Sequence, residues 1–296
     1  MPVRVGTCSW TDPTLLACGR FYPRSVRTAQ ARLQFYASRF PIVEVDSSYY
    51  RLPCARTAYL WAQRTPPGFV FHVKAFRLFT GHKAPVDALP ADIASELSPG
   101  ARMVDYASMP GELRDELWSR FLQALEPLRQ SGQLAAVHFQ YAPVVHNDAA
   151  GRALVAECAE RMQEQVLAAE FRHRSWLDAA GSPGTLALLR ELGAAHTVVD
   201  GPDRWINSVP AVWAATRDDL AVVRLHGRNH EAWNRRGLAA SSGRFVYEYS
   251  QEELQRIAEL VRRLAQAAAN VHVLFNTNFE DQGMRNAAAF EATLDR

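Results

Sequence analysis

Cysteine is scarce in this chain, and none of it is paired. Cys8, Cys18, Cys54 and Cys158 are scattered and form no Cys-x-x-Cys pair. That excludes the common zinc and redox motifs and suits the reduced thiols of a cytosolic protein. An excess of one charge is also missing. Lys and Arg number 33 against 31 Asp and Glu, a formal net charge of +2. No global basic field therefore advertises nucleic acid, and only a local basic patch could serve such a partner. No apolar run is long enough to span a bilayer, and Met1-Pro2-Val3-Arg4-Val5 runs straight into a strand, so no signal peptide is expected. A cytoplasmic protein of bacterial type, without a membrane partner, is the expectation. The chain shows no low-complexity tract, and the oligomeric state is left open.

What the chain does have is apolar residues, 48% of the total, enough for a large core. A length of 296 residues suits two ordinary domains or one α/β barrel. Eight short apolar runs read as strands: Val3–Ser9, Ile42–Ser47, Phe69–Lys74, Leu134–Gln140, Leu167–Arg172, His196–Asp200, Ala221–His226 and Val271–Asn276. Amphipathic helical patterns lie between most of them. Thr28–Phe40 carries Leu33, Tyr36 and Phe40 on one stripe, and Glu112–Arg129 carries Leu113, Leu117, Phe121, Leu125 and Leu128. Gln251–Ala269 repeats the pattern with Leu254, Ile257, Leu260, Val261 and Leu264, and Pro183–Leu192 is a shorter helix ended by Gly193. Strands alternating with helices imply parallel pairing through crossovers. Eight such units predict a single-domain TIM-type (β/α)8 barrel over residues 1–296. The open doubly wound sheet is the rival, but no Gly-rich phosphate turn follows the first strand.

The chemistry-bearing residues collect at the carboxyl ends of these strands. The most informative stretch is Glu170-Phe171-Arg172-His173-Arg174-Ser175-Trp176, which follows the apolar run Val166–Ala169. Two-residue spacing places Glu170, Arg172 and Arg174 on one face. The same spacing pairs Glu44 with Asp46, His72 with Lys74, Arg224 with His226, and Asn276 with Asn278. If these faces point inward, acids and bases converge at the end of the barrel where such proteins keep their sites. Buried charges are costly unless paired. Glu44, Lys74, Glu170 and Arg224 therefore also read as an internal ion-pair layer, with Asp46, Arg172, Asp200 and His226 as a shallower working layer. His226 is the natural acid/base by its ordinary pKa. Arg172, Arg224 and Lys74 read as an anion clamp. Trp10, Tyr49, Trp176 and Trp233 read as stacking faces or as barrel packing. A Glu44/Glu170 glycosidase pair is weakened by its basic neighbours, which would depress the acid. His72, Glu170, Asp200 and His226 are suitable metal-ligand types, but no compact motif links them. No cofactor is expected, although ligands on separate strands leave a divalent metal open. His138, His146, His173, His196 and His230 show no partner and read as structural or solvated.

Two connections are long: Phe76–Met109 after the third strand and Gly227–Tyr249 after the seventh. Long loops at the working end of a barrel suit lids or binding loops. Gly227–Tyr249 carries Trp233, Arg228, Arg235, Arg236 and Arg244, with Gly237 and Gly243 as hinge positions.

Several blocks are similar to one known family. Gly6-Thr7-Cys8-Ser9-Trp10 resembles its Gly-Thr-Ser-Gly-Trp. Val43-Glu44-Val45-Asp46-Ser47-Ser48-Tyr49-Tyr50 resembles its Val-Glu-x-Asn-x-Thr-Phe-Tyr, and Phe69-Val70-Phe71-His72-Val73-Lys74 its Phe-x-Phe-x-x-Lys. Phe21-Tyr22-Pro23, Arg32–Ala37, Glu170–Trp176, Arg224–Gly227, Tyr247–Ser250 and Phe275-Asn276 continue the match. In this order the chain resembles the YecE-like family, also called domain of unknown function seventy-two. The resemblance implies a TIM-type barrel and no particular reaction. Asp46 stands where the family carries Asn, and Gln140-Tyr141-Ala142-Pro143 stands for its Gln-Phe-Pro.

The expected function is an enzyme acting on an anionic substrate at the barrel mouth, a phosphorylated small molecule or a phosphodiester. His226, Asp46, Glu170 and Asp200 are the expected catalytic groups. Glu44, Lys74, Arg172, Arg224, Trp10, Tyr49, Trp176 and Asn276 are the expected binding groups. The alternative is a non-catalytic binder of an anionic ligand or single-stranded nucleic acid.

Overall fold

All eight expected strands form, and they close on themselves. In the computed structural model, which describes residues 3–97, 100–162, 164–235 and 241–295, they are β1 (Val3–Cys8), β2 (Ile42–Val45), β3 (Val70–Lys74), β4 (Leu134–Gln140), β5 (Leu167–Glu170), β6 (Ala195–Asp200), β7 (Leu220–Leu225) and β8 (Asn270–Phe275). Each pairs in parallel with its neighbours in sequence, and β8 returns to β1 to make a closed barrel. Closure removes every sheet edge, and the strands read as apolar runs because helices cover the outside.

The longer helices are α1 (Ala29–Ala37), α2 (Ala55–Gln63), α3 (Gly111–Gln130), α4 (Ala149–Arg161), α5 (Ser182–Glu191), α6 (Gln251–Ala267) and α7 (Gln282–Leu294). α6 shows how sequence sets its ends and its face. Ser250 and Glu253 form a reciprocal capping box at its start, and Leu254, Ile257, Ala258, Val261 and Leu264 are the buried stripe. Each such Leu or Ile side chain stabilises the fold by about 1.5–3 kcal/mol when fully buried. The β6–β7 connection is the exception to the alternation. Residues 201–219 contain no helix, and Pro202 and Pro210 break up a stretch that has no apolar stripe.

The inside of the barrel is layered. An apolar floor is built from Ala136, Ala168, Ala195, Leu220 and Val222. Beside it, Cys8, Ile42 and Leu274 form a second apolar patch. Gly6 is required where β1 meets β2, since a Cβ there would lie 2.0 Å from the Ile42 carbonyl oxygen. Register then sets the polar layer above the floor. Cys8 lies beside Glu44 and Glu44 beside His72. Lys74 lies beside His138, Gln140 beside Glu170, and Leu274 beside Arg224. Charged side chains from separate strands thus meet at one height. Part of Phe76–Met109 packs onto the wall, with Phe79 stacked on Trp118 at 3.8 Å, while Arg77 and His82 reach the mouth. Among the described residues no helix is long and apolar enough to cross a membrane.

Candidate functional site

Glu170 ends β5 with no exposed side-chain surface, and five groups from three strands and their carboxyl ends converge on it. Its Oε2 accepts from Arg224 at 2.6 Å and from His138 at 3.1 Å. Its Oε1 accepts from Arg172 at 2.5 Å, Gln140 at 2.7 Å and His226 at 3.2 Å. Burial alone would push this carboxyl up. Arg172, Arg224 and His226 outweigh it and hold Glu170 well below the usual carboxylate range. Arg224 reaches the other way as well, donating to Glu44 Oε1 at 2.6 Å and lying 3.4 Å from Cys8 Sγ. Glu44–Arg224–Glu170 is therefore a sealed acid–base–acid row joined by direct hydrogen bonds, with Glu44 Oε2 and Arg224 Nε left without a partner.

The protonation of His226 follows from its partners. Asn278 donates its Nδ2 to Asn276 Oδ1 at 3.1 Å. That leaves the Asn276 amide nitrogen to donate to His226 Nδ1 at 2.7 Å. His226 Nε2 then carries the proton toward Glu170 at 3.2 Å, with the Arg172 guanidinium 3.3 Å from the same nitrogen. Burial holds this imidazole down to about 3, against the pull of Glu170. With both nitrogens engaged and the ring neutral, His226 is a link in a chain from the mouth to Glu170.

The carboxyl pair on β2 has the opposite character. Glu44 is buried without exposure, and burial, reinforced by Asp46 and opposed by Arg224, pushes it up to about 7. Asp46 begins the turn Ser47–Tyr50 and keeps a little over a quarter of its side chain exposed. Burial acts to raise it, but Lys74 and Arg224 hold it low. Lys74 Nζ stands 3.3 Å from Asp46 Oδ1 and 4.7 Å from the centre of the Tyr49 ring. Arg77 shares that ring at 5.2 Å.

Two connected lobes open above this layer. The first encloses about 560 Å³ and is lined by Trp10, Trp61, Tyr49, Asp46, Lys74, Gln140, Asn276, Asn278 and Phe245, with Asp12 and Arg64 at its edge. The second, about 450 Å³, is lined by Arg172, Arg244, His82, Trp233 and Asn207 and shares Tyr49, Gln140 and Phe245 with the first. No carboxylate lines the second lobe among the described residues. Arg172 lies 5.1 Å over the Trp233 ring, and Phe245 packs 5.7 Å from His226.

The structure thus brings Asp46, Lys74, Arg172, Trp10, Tyr49 and Asn276 to the mouth, with Glu44, Glu170, Arg224 and His226 beneath it. Others go elsewhere. Asp200 accepts two bonds from Arg228, at 3.0 and 2.7 Å, and one from Tyr249 at 2.8 Å. It is an anchor beneath the loop after β7 and lines neither lobe. Trp176 is fully buried, stacked on Phe171 at 4.1 Å and bonded to the Val145 carbonyl at 2.8 Å. It packs the wall, because β5 ends at Glu170 and Arg174–Trp176 is a 3-10 turn. The same turn takes Arg174 away to the Asp203 carbonyl. Arg224 belongs to the sealed row and is no part of an open anion clamp. His138 has a partner after all, in Glu170. Among the described residues no three His, Cys, Asp or Glu side chains are grouped to hold a metal ion. Within Gly227–Tyr249, Trp233 and Phe245 already cover His226, while Arg236 and Gly237 lie outside the described residues.

Gln140, Trp61, His82 and Phe245 are site residues that the sequence left without a role, and His138, expected to be structural or solvated, is a buried support of Glu170. His138 and Gln140 carried a usable signal, since they repeat on β4 the two-residue spacing of Glu170 and Arg172. His82 and Phe245 arrive on loops, where no periodicity marks them.

A closed parallel barrel with its polar groups gathered at the carboxyl ends of the strands defines a TIM-barrel protein. The chain belongs to the family described as protein of unknown function DUF72, whose profile matches residues 4–296. It is similar to UPF0759 protein YunF of Bacillus subtilis (strain 168), 31% identical over 295 residues, or 99% of this chain and 95% of that one. Among solved structures it is similar to a DUF72 family protein of Thermotoga maritima MSB8, with TM-score 0.77, 26% identity and full coverage of both chains. A DUF72 family protein of Enterococcus faecalis V583 gives TM-score 0.81 at 23% identity, covering 99% of this chain and 96% of that one.

Proposed function

We propose that this chain is an enzyme working at the barrel mouth on a small phosphorylated substrate. The phosphate lies in the second lobe, and the reacting part lies in the first. The observation that carries the reading is the division of charge between two connected lobes. One has Arg172 and Arg244 without a carboxylate, and the other has Asp46 and Lys74 at its floor. Arg244, with the Arg172 nitrogens left over from its Nε bond to Glu170, suits a phosphate dianion in a lobe that no carboxylate lines. Trp10, Trp61 and Tyr49, with the amides of Gln140, Asn276 and Asn278, suit a flat or hydroxylated group that needs both stacking and hydrogen bonds. Asp46 exchanges a proton with the substrate, and Lys74 beside it neutralises charge as it develops. This exchange needs no cofactor.

The test is a panel of phosphomonoesters and phosphodiesters assayed for turnover, with and without divalent cations, beside calorimetric binding of each compound. Turnover that Asp46→Ala abolishes, with binding that Arg172→Gln weakens, is the expected result. Binding without turnover across the panel would reduce the protein to a binder. No binding of any phosphate compound would remove the anion reading.

A further inference from the structure

We infer that Glu44 and Asp46 share one proton, and that Glu44 is the store from which Asp46 passes it to the substrate. The argument is one of unsatisfied atoms. Glu44 Oε1 takes Arg224, while its Oε2 is buried with no donor. Asp46 Oδ1 is likewise buried without a hydrogen bond, with the Lys74 ammonium 3.3 Å away and Arg224 further off as its positive neighbours. The two carboxyls are within hydrogen-bond reach of each other. Two ionised carboxylates in contact, with no donor between them, repel strongly in a buried setting, and one proton between them removes that cost.

Six groups face Glu44 from the surrounding strands. Arg224, Lys74 and Asp46 are charged, Glu170 is held ionised, and Cys8 and His72 flank it in register. Cys8 is held as the thiol and His72 as the neutral ring by burial. Arg224 is shared with Glu170, and Lys74 lies closer to Asp46, so the balance leaves the proton on Glu44 at rest. Transfer then conserves one proton. The Glu44 O–H bond breaks as the Asp46 O–H bond forms, and Asp46 hands its proton to a substrate oxygen. Glu44 is left as a carboxylate against Arg224. Glu44 is thus a positioning residue acting through Asp46. Its part in turnover rests on the proposed reading of the mouth, whereas the shared proton does not.

The test is a carbon-13 NMR titration of side-chain carboxyls in the full chain, with Glu44→Gln used to assign the Glu44 signal. Glu44 is expected to titrate near 7, as the buried pair implies. In Asp46→Asn, which restores the family residue, that midpoint should fall by about one pH unit or more as the neighbouring negative charge is lost. A Glu44 signal that stays ionised from pH 5 to 9, or a midpoint unmoved by Asp46→Asn, overturns the shared proton. A titration as expected, with no turnover on any phosphate compound, keeps the shared proton and removes only the catalytic reading.

Discussion

Arg224 donates to Glu170 at 2.6 Å across the inside of the barrel, and neither side chain is exposed to water. The contact joins β7 to β5, two strands that are not neighbours, and makes the ion row part of the core. Removing one partner strands the other. Glu170→Ala should therefore destabilise the protein by roughly 3–5 kcal/mol, because Arg172 and Arg224 lose their common carboxylate. Denaturant unfolding of the two proteins measures it, and a loss under about 1 kcal/mol would show that water enters the cavity and replaces the carboxylate.

The same geometry separates Arg224 from Arg172, which the sequence groups with Lys74 as a clamp, and adds Arg244 to the binding surface. Arg224→Met should lower stability while leaving phosphate affinity of the folded protein within about twofold, since Arg224 lines neither lobe. Arg172→Met and Arg244→Ala should each weaken phosphate binding about tenfold, a loss of about 1.4 kcal/mol. Calorimetry on all three variants decides it. A large affinity loss confined to Arg224→Met would return that residue to the binding surface.

How much of this was legible beforehand follows from the kind of signal each feature leaves. The strands announced themselves as apolar runs, and two-residue alternation placed Glu44, Asp46, Arg172, Arg224 and His226 on inward faces. Alternation stops informing where a strand stops. β5 ends at Glu170, so Arg172 still reaches the mouth, but Arg174 and Trp176 follow a tight turn instead. Depth was equally hidden. Asp46 and Glu44 look alike in sequence, yet one borders the first lobe and the other is sealed against Arg224. Asp200 was read as a working carboxylate because its best partners, Arg228 and Tyr249, lie 28 and 49 residues further along the chain.

Ser9 offers a test that needs no ligand. Its φ is +107°, a backbone region that favours glycine. It stands where the matching family motif has Gly, and it borders the first lobe. Its hydroxyl accepts from the Thr11 amide at 3.2 Å, which offsets part of the strain. Ser9→Gly should stabilise the fold by about 1 kcal/mol, since relief of strain exceeds the lost bond and the extra chain entropy. A lower melting temperature in Ser9→Gly would mean that the bond to Thr11 outweighs the strain.

Buried histidines should set the acid limit of the fold. Burial depresses His226 and His272 to about 3, and His138 and His196 to about 4. An unfolded chain takes up these protons near 6.5 and the folded chain does not, so stability is present above 6.5 and is lost as pH falls. Glu44 and Glu291 work in the opposite sense. Burial raises both to about 7, so their contribution is present below 4.5 and lost as pH rises to 7. Four histidines outweigh two glutamates. Stability should fall by about 1–3 kcal/mol as the pH drops from about 6.5 to about 5.5. Urea unfolding at both pH values checks the sign, and Glu44→Gln should steepen the fall, because it removes one opposing group. Greater stability at the lower pH would mean that these rings are solvated.

Asp200 anchors the start of the loop that follows β7. Arg228 grips it with two nitrogens and also holds Glu253 at 3.0 Å. Tyr249 joins it from the far end of the loop and accepts from the Gly227 amide at 2.9 Å. Gly227 itself has φ +76°, and a Cβ there would meet the Tyr247 side chain at 2.4 Å. Both ends of the loop are therefore tied to one carboxylate. Trp233 and Phe245, which lie between those ends, cover His226. Asp200→Ala leaves the Arg228 charge with only Glu253 and removes the acceptor of the buried Tyr249 hydroxyl, at a cost of about 1–3 kcal/mol. The loss should appear as local opening more than global unfolding, because the anchor joins a loop to the barrel and does not brace the barrel itself. Trypsin should cut at Arg228, Arg235 or Arg244 several-fold faster in Asp200→Ala than in the parent chain. Phosphate should slow that cutting in the parent if the second lobe takes it against Arg172 and Arg244. Equal cleavage of the two proteins would mean that the loop is held by Trp233 and Phe245 packing alone, with Asp200 a buried but dispensable contact.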